Sequence, residues 1–309
     1  MFLCFLFFSV SPAHAQVIPR YNPDTVRTIV IDTPVVNIVA RKINVQRFID
    51  EMLNDTSFYL AFRNMKKYSF IAENRIFTYD KKNKVDAKLY RRIRHSNVAG
   101  AHKMQYLAKR DSGKIFKRNG KYQLYTVEMF DYIFMNAYNS DFADGPSIGD
   151  GKGGSNEGYK AKLKTLIFQP GRPIKGVPFI SGKTEIFQPP LNKYYTYQFS
   201  KGRYLDSIPV FRFKVIPRSD LGYWEKDKLM IKELTTIFDA RTFQIMGRYI
   251  DMKFDNMFVD FDVQMNIELG NFDGDLLPTK ITYQGNWNIP FKKEERASFL
   301  ILHKDYKKE

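Results

Sequence analysis

The chain has 309 residues, 27% of them charged, and a formal net charge of +16 at neutral pH. That length bounds one large or two small domains, and 16% aromatic residues are enough for a sizeable core. The only cysteine, Cys4, lies inside the export segment described next. Disulfides, cysteine metal sites and cysteine nucleophiles are therefore excluded from the mature chain.

Phe2 to Val10 form an apolar run, Ser11-Pro12 break it, and Ala13-His14-Ala15 place small residues ahead of Gln16. This is the cleavage pattern of a secretory signal peptide over residues 1–15. The run is too short to span a bilayer as a stable helix. The expected location is the periplasm or outer envelope of a Gram-negative cell, so no nucleic-acid partner is expected for the basic surface. Residues 16–43 read as an irregular leader, with Val26–Ile31 a short strand candidate, and residues 44–309 as one domain.

That domain opens on an amphipathic stripe. Val45, Phe48, Ile49, Met52 and Leu53 fall on one face of a helix begun by Asn44. The phase breaks at Asn54–Ser57 and restarts with Phe58, Ala61, Phe62 and Met65, with Asp55 or Asn54 as the cap. A second helix is thus expected to end near Lys67. Alternation then takes over in Tyr68, Phe70, Ala72, Ile76 and Thr78, with Leu89–Arg94 as the partner strand.

Lys81 to Arg118 holds thirteen Lys/Arg against Asp86 and Asp111, a local charge of +11. Arg91, Arg92 and Arg94 head this basic stretch, which suits an anionic membrane surface or acidic glycans, or serves solubility alone. Asn119-Gly120 between IFKR and KYQLY predicts a type I′ hairpin. Val127, Phe130, Phe134 and Ala137 predict a helix over Thr126–Tyr138. Residues 139–158, with six glycines and few apolar residues, predict a flexible loop.

Beyond that loop the chain reads as nearly all strand. The expected strands are Lys162–Phe168, Thr184–Phe187, Tyr195–Phe199, Ile208–Ile216, Met230–Phe238, Phe243–Phe254, Met257–Leu269, Thr279–Trp287 and Ala297–His303. Short turns such as Asp239–Thr242 and Asn271–Gly274 join them as an antiparallel meander. The clearest is Met257–Leu269. Its odd positions are all apolar, and its even positions after Phe258 are all polar. One face therefore meets an apolar core or ligand. The candidate ligand-facing residues are Val259, Phe261, Val263, Met265, Ile267 and Tyr283. The fold class is α+β: a large curved antiparallel sheet, half-barrel-like, with the N-terminal helices packed on one face.

Motifs of chemistry are missing. Gly145 and Gly151-Lys152 are one residue too far apart for a phosphate loop, and Gly153 stands where its hydroxyl residue belongs. Asp141, Asp144 and Asp150 lack the alternating spacing of a calcium loop. His95, His102 and His303 form no zinc pattern, and the first two are expected on the solvated face of the basic region. No serine-nucleophile motif occurs. Asp260 and Asp262 read as solubilising charges, and Trp224 and Trp287 as packing residues. No cofactor, no metal and no enzymatic activity are expected.

The C-terminal half resembles the lipoprotein-carrier superfamily of the bacterial envelope, the LolA/LolB-like half-barrels. The resemblance lies in FRFKVIPR (Phe211–Arg218), IKELTTIFDARTFQIMGRYIDMK (Ile231–Lys253) and FDGDLLPTKITYQGNW (Phe272–Trp287), in that order. The long segment before Lys162 and the basic stretch depart from the family. The resemblance implies a curved sheet closed on one side by helices, with an apolar concavity between them. The expected function is an exported, non-enzymatic binding protein for lipid, an acylated protein or another apolar envelope component. The alternatives are an assembly factor for another envelope protein and an outer-membrane β-barrel. Oligomeric state is not legible in the sequence.

Overall fold

The computed structural model describes residues 45–135, 166–173, 180, 182–255, 260–288 and 294–308. The export segment, the leader, the loop 139–158 and Val259 lie outside the described residues.

The helices come first. Helix α1 (Val45–Asn54) buries Phe48, Ile49 and Met52, three members of the expected stripe. The break before α2 (Ser57–Asn64) is made by Asp55. Its carboxylate accepts from the backbone N–H groups of Ser57 (3.2 Å) and Phe58 (2.9 Å), two donors that the start of a helix leaves without partners. Helix α3 (Tyr125–Phe130) runs into a wider π turn, Asp131–Met135. Its N-terminus is capped from afar. Glu295 accepts from the backbone of Tyr125 (2.8 Å) and Thr126 (2.7 Å) and from the Thr126 hydroxyl (2.6 Å).

The strands are β1 (Tyr68–Tyr79), β2 (Val85–Val98), β3 (Ala101–Ser112), β4 (Tyr195–Tyr204), β5 (Ile208–Pro217), β6 (Ile231–Asp239), β7 (Ile245–Asp255), β8 (Asp260–Phe272), β9 (Asp275–Asn288) and β10 (Glu295–Lys308). A short helix α4 (Tyr223–Lys228) follows β5. All ten strands join one antiparallel sheet in the order β3-β2-β1-β10-β9-β8-β7-β6-β5-β4. It consists of two meanders, β1–β3 and β4–β10, joined where β1 pairs with β10. The register runs from Tyr68 opposite Lys308 to Thr78 opposite Ala297. Edge strands β3 and β4 do not pair with each other, so the described strands form an open sheet, not the closed barrel carried as an alternative.

One row of side chains crosses the inner face nearly from edge to edge. Following the register from β5 gives Val215, Leu234, Ile250, Met265, Tyr283, Phe299 and Ile76, all buried. Successive strands place their in-phase residues side by side, so alternation within each strand becomes a continuous apolar surface. Helices α1 to α3 cover it.

Several local expectations are corrected. Leu166–Phe168 form a helical turn and Thr184–Phe187 lie in turns, although both segments were expected as strands. Their buried apolar residues fit a packed turn as well as a strand, and so short a run cannot separate the two by period. At Asn119-Gly120 only Gly120 has a positive φ (78°), and Lys117 N–H reaches Lys121 C=O at 2.7 Å. That is a longer turn, not the type I′ pair, which needs positive φ at both central residues. The type I′ signature appears instead at Asp273-Gly274 (φ 49° and 85°), between paired Phe272 and Asp275, and at Ala99-Gly100 (φ 51° and 81°).

Candidate functional site

The candidate site is the inner face of the sheet and its helical cover. On β8, Phe261, Val263, Met265, Ile267 and Leu269 are all buried. On β9, Tyr283 faces the same way. Its ring stacks on Phe299 (centroids 4.5 Å, planes 10° apart) and meets Phe130 of α3 at 4.3 Å. Its hydroxyl accepts from Trp287 Nε1 at 2.7 Å, and Trp287 in turn packs on Phe261 at 4.7 Å. Gly285 makes room for this arrangement: a Cβ there would stand 1.9 Å from the Tyr283 hydroxyl. The structure thus brings Phe261, Val263, Met265, Ile267 and Tyr283 onto one buried surface.

The cover is made of rings. Phe48 of α1 lies within 4.8–5.9 Å of Phe199, Phe211, Phe213, Phe238 and Phe243. Phe62 of α2 meets Phe134 (5.7 Å) and Phe168 (5.0 Å). Phe130 of α3 sits over Phe299 at 4.4 Å. Ring contacts of this kind hold the helices down by dispersion and by their tilted or edge-on geometry.

Polar residues also reach this inner face. Arg248 on β7 is in phase with Ile250, Met252 and Phe254, and it is 1% exposed. Its Nη1 donates to the carbonyls of Ile167 (3.2 Å) and Phe168 (2.8 Å), and the guanidinium lies 4.5 Å from the Phe58 ring centre. Its Nε and Nη2 are buried without a hydrogen-bond partner. Burial lowers its pKa to about 10, opposed by the charge of Asp55, so it stays charged at neutral pH.

Across the sheet, Arg91, His95, Asn74 and His303 line the inner face of β2, β1 and β10. Arg91 donates to the Tyr122 hydroxyl at 2.9 Å and ion-pairs with Asp131. Burial works against this charge, and Asp131 and Tyr122 more than offset it, so the net shift of Arg91 is upward. His95 stacks flat on Phe70 at 4.4 Å, and His303 meets the same ring edge-on at 5.6 Å. Burial first, then Arg91, holds His95 down to about 4, and burial with His95 holds His303 down to about 3. Both imidazoles are neutral at pH 7.

Three expectations change here. Arg91 does not share a surface with Arg92 and Arg94. Successive strand residues face opposite sides, so Arg91 is buried within while Arg92 and Arg94 are exposed on the outer face. Glu73 on that outer face approaches Arg92 (3.7 Å) and Lys304 (3.6 Å). His95 is likewise buried, whereas His102 is exposed with Nε2 3.0 Å from the Lys66 carbonyl. The signal for Arg91, His95, Asn74 and Arg248 was present in the sequence: each occupies the apolar phase of its strand. Trp224 also departs from expectation, being 74% exposed beside Tyr223 on α4.

Among the described residues, no three His, Cys, Asp or Glu side chains gather as a metal site, and no helix is long and apolar enough to cross a membrane.

No family model matches this sequence, and no curated protein matches it. Solved structures with similarity include a DUF1329 family protein from Desulfovibrio piger (10% identity, 86% of this chain and 93% of that one, TM-score 0.26). A putative outer membrane lipoprotein-sorting protein domain from Vibrio parahaemolyticus is similar at 8% identity, over 80% and 91% of the two chains, with a TM-score of 0.24. A LolA superfamily protein from Nitrosomonas europaea is similar at 8% identity, over 86% and 94%, with a TM-score of 0.22.

Proposed function

We propose that this protein is an exported, non-enzymatic carrier that holds a lipid or the acyl chains of an acylated protein between its sheet and helices α1 to α3. One observation carries the reading. A continuous apolar row crosses an open ten-stranded sheet, and its cover is three short helices seated through aromatic rings. A packed two-layer core is built from the same parts, and a carrier needs in addition a cover that yields to a chain of similar chemistry. Phe261, Val263, Met265, Ile267 and Tyr283 form the floor of the site. Arg92 and Arg94 on the outer face, with neighbouring Lys88 and Lys304, serve docking to anionic headgroups. The periplasm or outer envelope is the compartment this function requires.

The test is mass spectrometry of the intact protein recovered from the envelope fraction, beside a Val263→Trp variant. The wild type is expected to carry an acyl lipid, and the variant to stay folded and lose it. A wild type that carries no lipid and takes up no labelled acyl probe would refute the reading.

A second reading, an assembly factor for another envelope protein, is favoured by β3. This edge strand is exposed along nearly its whole length and presents Tyr106 and Leu107 to solvent. Photo-crosslinking from position 106 in cells would trap a protein partner under this reading and none under the carrier reading.

A further inference from the structure

We propose that the free edge of Arg248 seats the carboxylate or phosphate head of an acyl amphiphile whose tail lies along the inner face; this rests on the carrier reading above. The two unpartnered nitrogens are the argument. Nε–H and one Nη2–H of a guanidinium are parallel, and they form the fork that matches two oxygens of a carboxylate or phosphate. In Arg248 the opposite side, Nη1, is the one occupied, by the carbonyls of Ile167 and Phe168. The fork is left buried and unsatisfied.

No carboxylate among the described residues fills it. Asp55 is committed to the start of α2, through Ser57 and Phe58. Asp131 is committed to Arg91. A buried cation that meets no anion is a costly feature that calls for an explanation, and an anion supplied by a ligand is one that completes it. The neighbours of Arg248 say what that is. Ile267 stands directly across on β8, and Ile250 and Met265 continue the apolar row beside it. A ligand with its head at Arg248 therefore has hydrocarbon surface immediately next to the charge.

The experiment compares dodecanoate, dodecyl phosphate and dodecanol as displacers of a fluorescent acyl probe from the full chain. One or both anions should bind about tenfold or more tightly than the alcohol, the difference a charged hydrogen-bonded pair makes. Which anion leads separates a fatty acid from a phospholipid as the source. Arg248→Met should bring the anions down to the level of dodecanol and leave dodecanol unchanged. Arg248→Lys, which keeps the charge and loses the fork, should fall between. If the methionine variant does not fold, the wild-type panel and the lysine variant still decide. Equal binding of all three by the wild type would overturn the anion seat and leave the carrier reading standing. No binding of any of them would overturn both.

Discussion

Arg91 and Arg248 occupy the same cross-sheet row and are treated in opposite ways. The register runs from Arg248 through Ile267, Ile281, Ile301 and Asn74 to Arg91. Both arginines are buried among apolar neighbours. At the β2 end the chain supplies its own anion, Asp131, together with a phenol. At the β7 end it supplies two carbonyls and an aromatic face. The same residue type at the same depth thus meets an internal anion in one place and none in the other, although Arg91 Nε, like Arg248 Nε, is buried without a hydrogen-bond partner. Burial alone does not tell a structural arginine from a ligand-seeking one; whether an anion of the chain already meets the guanidinium does.

The largest effects should come from breaking the pattern of this face. Phe261→Asp puts an unpaired carboxylate beside Trp287 and Phe254, and should cost about 3–5 kcal/mol or abolish folding, read by urea denaturation. Arg94→Ala, on the solvated side, should change stability by about 0.5 kcal/mol or less in the same assay. Next comes the Arg91–Asp131 pair. Asp131→Ala strands Arg91 as a buried cation and should cost about 3 kcal/mol, while Arg91→Met combined with Asp131→Leu should recover most of that loss. If the single and double variants are equally unstable, the pair is not what holds this end of the sheet.

A smaller effect is set by pH. His95 and His303 have folded pKa values of about 4 and about 3, below the ordinary 6.5. The unfolded chain therefore binds more protons than the folded one as pH falls below 6.5. Stability is fully present above that value and is lost on acidification toward 4, at about 1.4 kcal/mol per pH unit for each histidine as an upper bound. Replacing His303 by Phe should flatten the slope, measured as denaturation midpoints from pH 7 to 4.5. A further effect of packing concerns Gly285. Gly285→Ala crowds the Tyr283 hydroxyl and should cost about 1–3 kcal/mol. A neutral outcome would reveal free space beneath Tyr283, and so sharpen where a tail can lie.

Much of this was readable in the sequence where burial is one-sided. The stripe of α1, the Asp55 cap, the alternation of β8 and the meander after Tyr195 all follow from period. Strand β3 was not readable, because it is exposed along nearly its whole length, with Met104 packed against the core and little alternation to mark a buried face. The turn around Thr184 failed for another reason, since Thr184–Phe187 is too short for its period to separate a strand from a turn. The polar residues of the inner face were legible only in retrospect. Charge count places Arg91 in a basic patch with Arg92 and Arg94, while strand phase removes it from that patch.

The joint between β1 and β10 has a consequence in time. Tyr79 and Ser298 share a hydrogen bond across 219 residues of chain. Each meander can grow from local hairpins as the polypeptide is made, but β1 keeps one edge unpaired until the last strand arrives. Closing so long a loop costs about 5 kcal/mol in chain entropy. During that interval the open edge of β1 competes for any other extended segment nearby. The protein should therefore depend on a holding factor during synthesis more than its finished stability would suggest, and a chain that stops short of Glu295 should aggregate instead of folding in part.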